Sequence, residues 1–413
     1  MNTDQVRNFK EKIWNNILVL YLILSSGSIL FGVNESIIVG GFSFLVIVQI
    51  ITAKMKVTIS KNSVFILIFL IFIILLSYFF NMNNLSASSI NFELGFILKI
   101  INAILFVNIF PAEKFKRIFI KQIFVLSFIS LVFYFSFLVF PGLMNRIPAL
   151  LSTDSYVNYL IYVHHPPLYA IRLRNYSIFS EPGVYQAFLN VALLFLIMHN
   201  EPGQEKKILL GFSVYQSIIF LFLVIAILTT FSTTGYIALM LNFAILLFKK
   251  FRFIFVFPFA TLLIVGLISS TYFHQTIYEK IVKTKNSSTE RRGKDVELEW
   301  MMFLTRPVLG YGYTYFDVKK ELLKDSKINE QWTGSTNSIF YHAAMYGFIF
   351  MIAVLYGFYR FSFLVSDKIF VGILIFSLFL FLLIGETFLQ KMLFLVIGFY
   401  GISIRKIHQV YYQ

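Results

Sequence analysis

The chain of 413 residues contains no cysteine, which excludes disulfides, a thiolate nucleophile and any cysteine-ligated metal. Charge is scarce too. Asp, Glu, Lys and Arg together make up 13% of the residues, against about a quarter in soluble domains. Acidic residues are the scarcer sign, 20 against 35 basic, for a formal charge of +15. A nucleic-acid binder would gather its Lys and Arg on one soluble face. Here they fall in small clusters between apolar runs, so nucleic acid is not the expected partner and orientation in a bilayer accounts for the basicity. No small-residue cleavage site follows the basic segment Met1 to Lys12, so the first apolar run reads as an uncleaved span.

Apolar residues fill the space left by these absences: 58% of the chain is hydrophobic and the mean hydropathy is +0.78. Runs of about 20 apolar residues recur along nearly the whole length, whereas barrel strands would alternate. The expected fold class is an all-α polytopic membrane protein, a single transmembrane domain over 1–413. Twelve spans are expected near 13–31, 36–53, 63–80, 92–110, 118–140, 182–198, 208–228, 234–248, 253–271, 336–358, 369–384 and 386–404. Lys54, Lys56 and Lys61, then Lys114 to Lys121, Lys206 and Lys207, Lys249 to Arg252, and Arg360 with Lys368 fall in alternate connections. The short connections between them carry no Lys or Arg, which predicts that both termini are cytoplasmic.

Two outward connections are long, 141–181 and 272–335, and each is expected to contain short helices. In the second, Ser287 and Glu290 have capping-box spacing, and Val296, Trp300, Phe303 and Leu304 form one apolar stripe. This predicts an amphipathic helix lying on the outer membrane surface. Its first turn carries Arg291 and Arg292, suited either to an anion at the helix N-terminus or to lipid headgroups.

The first long loop ends in Arg172, Arg174, Ser180, Glu181, Pro182 and Gly183. That segment is a binding site, or simply a helix start with proline at its first position. His164 and His165 are poor metal ligands because adjacent side chains point apart, and no paired carboxylates suggest a nucleotide-sugar site. Neither metal nor cofactor is expected. Glu93, Lys99, Glu386 and Lys391 sit in or at the ends of spans, where snorkelling or pairing explains them as well as function does. Tyr311 and Trp332 are loop aromatics suited to stacking on a ligand.

Three segments, in order, resemble the motifs of the O-antigen polymerase and ligase superfamily. Arg174, Phe179, Glu181, Pro182 and Gly183 are similar to its first motif, in a variant with Glu before Pro. Arg291 through Arg306, Pro307, Gly310, Tyr311 and Gly312 resemble the second, and counting back from Pro307 favours Arg291 over Arg292. Ser335, Thr336, Asn337 and Ser338, with His342 and Gly347 beyond, resemble the third. Where ligases carry histidine before that asparagine, this chain has Thr336, which favours a polymerase.

The resemblance implies glycosyl transfer between undecaprenyl-diphosphate-linked glycans at the outer face of the membrane, with a chain-length regulator and a flippase as the partners such enzymes work beside. The alternatives are a ligase of the same superfamily and a twelve-span transporter or flippase, although no paired halves with broken helices are visible. By the resemblance, Arg174 and Arg291 face the departing diphosphate, and Glu181 is either the general base or the partner that orients Arg174. Arg172, Arg292, Tyr311, Trp332, Thr336, Asn337 and His342 are the expected substrate contacts.

The orientation has a direct test. Single cysteines at Ser152 and Ser326 should react with an impermeant thiol reagent from outside intact cells, against a background free of native cysteine. Reaction only after permeabilisation would reverse the topology.

Overall fold

The computed structural model describes residues 3–29, 35–52, 59–81, 87–144, 146–149, 151–152, 157–164, 173–199, 212–250, 288–325 and 335–403. The helices are α1 Thr3–Ser25, α2 Glu35–Thr52, α3 Lys61–Phe79, α4 Ala87–Ile109, α5 Ala112–Val139, the single turn α6 Pro141–Met144, α7 Pro182–Met198, α8 Val214–Thr229 and α9 Thr233–Lys250. They continue with α10 Ser288–Thr305, α11 Tyr315–Asp325, α12 Ser338–Leu364, α13 Ile369–Gly385 and α14 Met392–Ser403. Four helical stretches, Lys61–Phe79, Asn91–Ile109, Ala112–Val139 and Ser338–Leu364, are long and apolar enough to cross a bilayer, and shorter apolar helices accompany them. The expected segment 253–271 lies outside the described residues. The last helix begins at Met392 and not at Glu386, leaving Glu386 to Lys391 as a connection containing one 3-10 turn.

Local chemistry sets where helices start. Ser60 accepts from Ser63 N ahead of α3, Pro182 occupies the first turn of α7, and Ser213 with Gln216 forms a capping box at α8. Packing then sorts the helices. α7 is buried along its whole length and α14 from Met392 to Ile402. α3 instead exposes Phe65, Ile68, Phe72, Leu75 and Phe79 as an apolar stripe. An exposed stripe of that kind is stable only against lipid. α12 and α14 cross with their backbones nearly touching: a Cβ on Gly401 would lie 2.0 Å from the Gly357 carbonyl oxygen.

α12 is broken at Gly347, whose φ of 81° and ψ of 174° no helix accommodates. The break frees backbone groups that an apolar surrounding cannot solvate. The turn after α10 satisfies them. Phe348 N donates to Pro307 O at 2.8 Å, and Tyr311 N donates to Ala344 O at 2.9 Å. Ser77 Oγ on α3 donates to Met345 O at 3.1 Å. The proline, the Gly-x-Gly turn and the later glycine of two separate motifs thus meet in one seam of backbone hydrogen bonds.

One expectation needs correction. The first long loop holds more than short helices: after α6, strands β1 Leu151–Ser152, β2 Val157–Asn158 and β3 Val163–His164 form an antiparallel sheet in the order β1-β2-β3. Tyr162 anchors it by stacking on Phe133 and Phe137 of α5. In α10 the face against the bundle is Asp295, Leu298, Glu299 and Met302, while Trp300 and Leu304 of the apolar stripe are exposed. A lysine on α11 makes the buried carboxylates tolerable.

Gly347→Ala should disrupt the seam, because the added Cβ would lie 1.9 Å from Val308 O. Backbone strain plus lost hydrogen bonds should cost about 3 kcal/mol or more, read as a lowered Tm in detergent. An unchanged Tm would show that the seam carries no stability.

Candidate functional site at the loop end of the bundle

The segment from Leu173 to Glu181 is stitched into the bundle before it enters α7. Asn175 is fully buried; its N–H donates to Thr229 O at 3.0 Å and its amide to Thr229 Oγ1 at 3.0 Å and Ser130 Oγ at 3.2 Å. Ile29 N donates to Ile178 O at 3.0 Å, and Phe179 packs on Tyr185 and Phe188. The aromatic of the first motif is therefore a core residue that fixes the chain on either side.

Arg174 is held by backbone. Its Nε donates to Thr230 O at 2.9 Å and its Nη2 to Phe231 O at 3.1 Å, carbonyls just past the end of α8, where the helix dipole favours a cation. Nη1 has no hydrogen-bond partner among the described residues. Burial lowers the Arg174 pKa, Tyr176, Tyr236 and Glu181 oppose that shift, and Arg292 adds to it. Those influences place Arg174, Glu181 and Arg292 within electrostatic reach of one another. Glu181 is exposed and takes the N-cap position of α7 without a side-chain capping bond.

Opposite this segment, Arg292 on the first turns of α10 forms an ion pair with Glu386, Nη2 to Oε1 at 2.7 Å. Glu386 rests on Gly183: a Cβ there would lie 2.6 Å from Glu386 Oε1. Glycine after Glu181-Pro182 therefore makes room for a second carboxylate. Burial pushes Glu386 up to about 7, Arg292 pulls it down, and the charge of Glu181 pushes it up. Both carboxylates and both arginines thus belong to one electrostatic cluster.

Beneath Arg292 lies a fully buried ionic cluster. Lys319 Nζ of α11 is 2.9 Å from Asp295 Oδ1 and 3.1 Å from Glu299 Oε1, with side chains at most 3% exposed. Tyr315 donates to Glu299 Oε1 at 2.7 Å, and Thr336 Oγ1 donates to Asp295 Oδ2 at 3.0 Å. Burial raises the pKa of Glu299, and Lys319 is the largest influence lowering it. Through these contacts α10, α11 and the entry to α12 are tied together around one ammonium.

Asn337 caps α12, its Oδ1 accepting from Ile339 N at 2.8 Å and Phe340 N at 3.2 Å. Its Nδ2 is buried without a hydrogen-bond partner among the described residues. Ser338 joins the same end: its Oγ donates to Glu386 O at 2.7 Å and accepts from Leu389 N at 3.0 Å. Arg174, Glu181, Arg292, Glu386 and Asn337 are thus brought to one end of the bundle by four chain segments.

Other candidates lie elsewhere. His342 is buried inside α12, its Nδ1 2.7 Å from Ser338 O and its ring beside Phe96, Tyr341 and Phe350. The Tyr311 ring is covered by the Arg306 guanidinium at 4.6 Å, and its hydroxyl lies 2.6 Å from Thr305 Oγ1. Glu93 accepts from Tyr346 at 2.8 Å, and Lys99 donates to Gln390 O at 3.1 Å, so these two are paired, though not with each other. His164 stacks on Phe137 at 4.1 Å. Arg172, Trp332, His165 and the Arg291 side chain lie outside the described residues. Sequence reasoning left Glu386 open between snorkelling, pairing and function, without naming Arg292 as its partner, and passed over Asp295, Glu299 and Lys319. The available signal was a pair of acids four apart on the same helical face as Leu298 and Met302.

These features define a multi-pass helical membrane protein with a charged site where its long connections meet. Residues 218–355, about a third of the chain, match the family described as O-antigen ligase, which supports the O-antigen ligase/polymerase-like superfamily. The matched region runs from α8 into α12, while Arg174, Glu181 and Glu386 lie outside it. No curated protein matches the chain.

The buried cluster makes contrasting demands on its members. Lys319→Met should destabilise the protein by about 3–5 kcal/mol by stranding two buried carboxylates. Glu299→Gln should cost only about 1 kcal/mol, because the amide oxygen can still accept from Tyr315 and Lys319 while one buried charge is removed. Thermal unfolding in one detergent compares them, and equal losses would contradict the charge assignment.

Proposed function

We propose that this chain is an integral membrane glycosyltransferase that polymerises undecaprenyl-diphosphate-linked oligosaccharide repeat units at the outer face of the bacterial plasma membrane. The observation that carries the reading is the convergence of Arg174 and Arg292 with Glu181 and Glu386, in a chain whose residues 218–355 match the O-antigen ligase family. Thr336, at the position where ligases carry histidine, donates to Asp295 and leaves the step before Asn337 without a base, which favours polymerase over ligase.

In this mechanism a hydroxyl of one glycan attacks the anomeric carbon of another. The new C–O bond forms as the bond to the diphosphate breaks, and its electron pair leaves on the diphosphate oxygen. Arginine supplies permanently charged paired donors for that leaving group. Nη1 of Arg174, the Arg292 guanidinium and Nδ2 of Asn337 are the donors at this end of the bundle. Arg291 lies on the same first turn of α10 and shares the role. The hydroxyl proton passes to Glu181, which is exposed and whose side chain makes no capping hydrogen bond to α7. Arg174 is oriented by the carbonyls of Thr230 and Phe231, so Glu181 is not needed to hold it. Glu386 is a positioning residue for Arg292.

Purified protein given defined undecaprenyl-diphosphate repeat units, without nucleotide sugar, should yield a ladder of longer lipid-linked chains. Transfer only to a separate lipid acceptor would indicate a ligase, and no transfer to either would refute the reading. Arg174→Lys, Arg291→Lys and Arg292→Lys should each lose about 2–4 kcal/mol at the barrier, tens to several hundredfold in rate. Near-normal polymer from all three would remove the arginines from the site.

The two carboxylates separate by variant and by pH. Glu181→Gln should abolish transfer while sparing substrate binding. With Glu386 near 7, protonation below that pH removes the charge facing Arg292, so wild-type activity should fall there. Glu386→Gln should be uniformly impaired and lack that limb. An identical acidic limb in both proteins would exclude Glu386 from control of Arg292.

A further inference from the structure

Loop β2–β3 turns through Tyr159, Leu160, Ile161 and Tyr162. Leu160 has a φ of +72°, a conformation that costs a leucine roughly 1–2 kcal/mol and a glycine almost nothing. The strained position does not hide the side chain. Leu160 is 54% exposed and Ile161 44%, two aliphatic residues presented outward at a turn tip where polar residues are the rule.

The depth of the tip follows from α5. Lys114, Lys116, Arg117 and Lys121 lie in its opening turns, and no charged residue follows until Arg146. Twenty residues beyond Lys121 span about 30 Å, one hydrocarbon thickness, so Phe137 lies within the far leaflet. Tyr162 stacks on Phe133 at 5.3 Å and on Phe137 at 5.8 Å, and Tyr159 meets Phe137 at 5.7 Å. The tip between them therefore reaches the level of the last turns of α5, where Leu138 and Val139 are themselves exposed.

We infer that the Leu160–Ile161 tip inserts into the acyl region of the far leaflet and anchors the first long loop to the membrane, continuing the lipid-facing surface of α5. Strain at Leu160 is the cost of presenting a large apolar side chain at that position. The anchor bears on the site through the chain: Val163 N donates to Ser177 O at 2.6 Å, and Leu173 packs against Phe137, Met144 and Tyr162. Arg174 follows directly. The depth argument holds for either orientation of the chain and does not depend on the proposed reaction.

Leu160→Cys or Ile161→Cys, labelled with an environment-sensitive fluorophore in proteoliposomes, should show blue-shifted emission quenched by a nitroxide on the acyl chain and not by aqueous iodide. Water-like emission quenched by iodide would overturn the anchor. Leu160→Asn provides the second arm, since asparagine adopts this backbone conformation readily. In that background the label at Ile161→Cys should shift toward the aqueous signal while Tm in detergent is unchanged or raised. A lowered Tm in detergent would show that Leu160 is a core contact and refute the proposal.

Discussion

Among apolar neighbours, a backbone N–H or C=O without a partner costs several kcal/mol, and the rest of this molecule is arranged around meeting that cost at one break. The interruption of α12 at Gly347 is closed by the turn after α10, with Pro307 and Tyr311 exchanging hydrogen bonds with Phe348 and Ala344. This fixes the end of α10, and the Lys319 cluster then fixes its middle. Arg292 sits on the part of α10 between those two restraints and Glu386. The charged end of the bundle is therefore held by backbone geometry first and by side chains second.

The same logic governs Arg174. A guanidinium supported by a carboxylate would lose its orientation whenever that carboxylate changed protonation state. Support by the Thr230 and Phe231 carbonyls has no such dependence. Glu386, which does titrate near neutrality, supports Arg292 instead. The two arginines are thereby placed under different controls, one fixed and one responsive.

Much of this was legible in the amino-acid order. Apolar runs are long enough to predict membrane helices without knowledge of their neighbours, and the segment from Arg174 to Gly183 stood out because a proline helix start and paired charges lie together. What was illegible depended on partners distant in sequence. Glu386 acquires meaning only from Arg292, 94 residues earlier, and from the space at Gly183. Lys319 looks like Lys320 and Lys324 until the fold buries it. The buried face of α10 was hidden because apolar periodicity treats Asp295 and Glu299 as solvated, which an internal lysine reverses. Strands of two residues, as in β1 to β3, fall below any detectable period, and their anchor, Tyr162, is one aromatic among 23 tyrosines and 51 phenylalanines.

The cluster under α10 also bears on the electric potential above it. Two ionised carboxylates against one ammonium would leave a net negative charge in low dielectric just behind Arg292, weakening its attraction for an anion. Burial instead favours the neutral form of Glu299. That shift works toward less negative charge behind Arg292, so the cluster opposes an anion there less than its two acids alone would. The positive potential of Arg174 and Arg292 toward the loop end is correspondingly less opposed from behind.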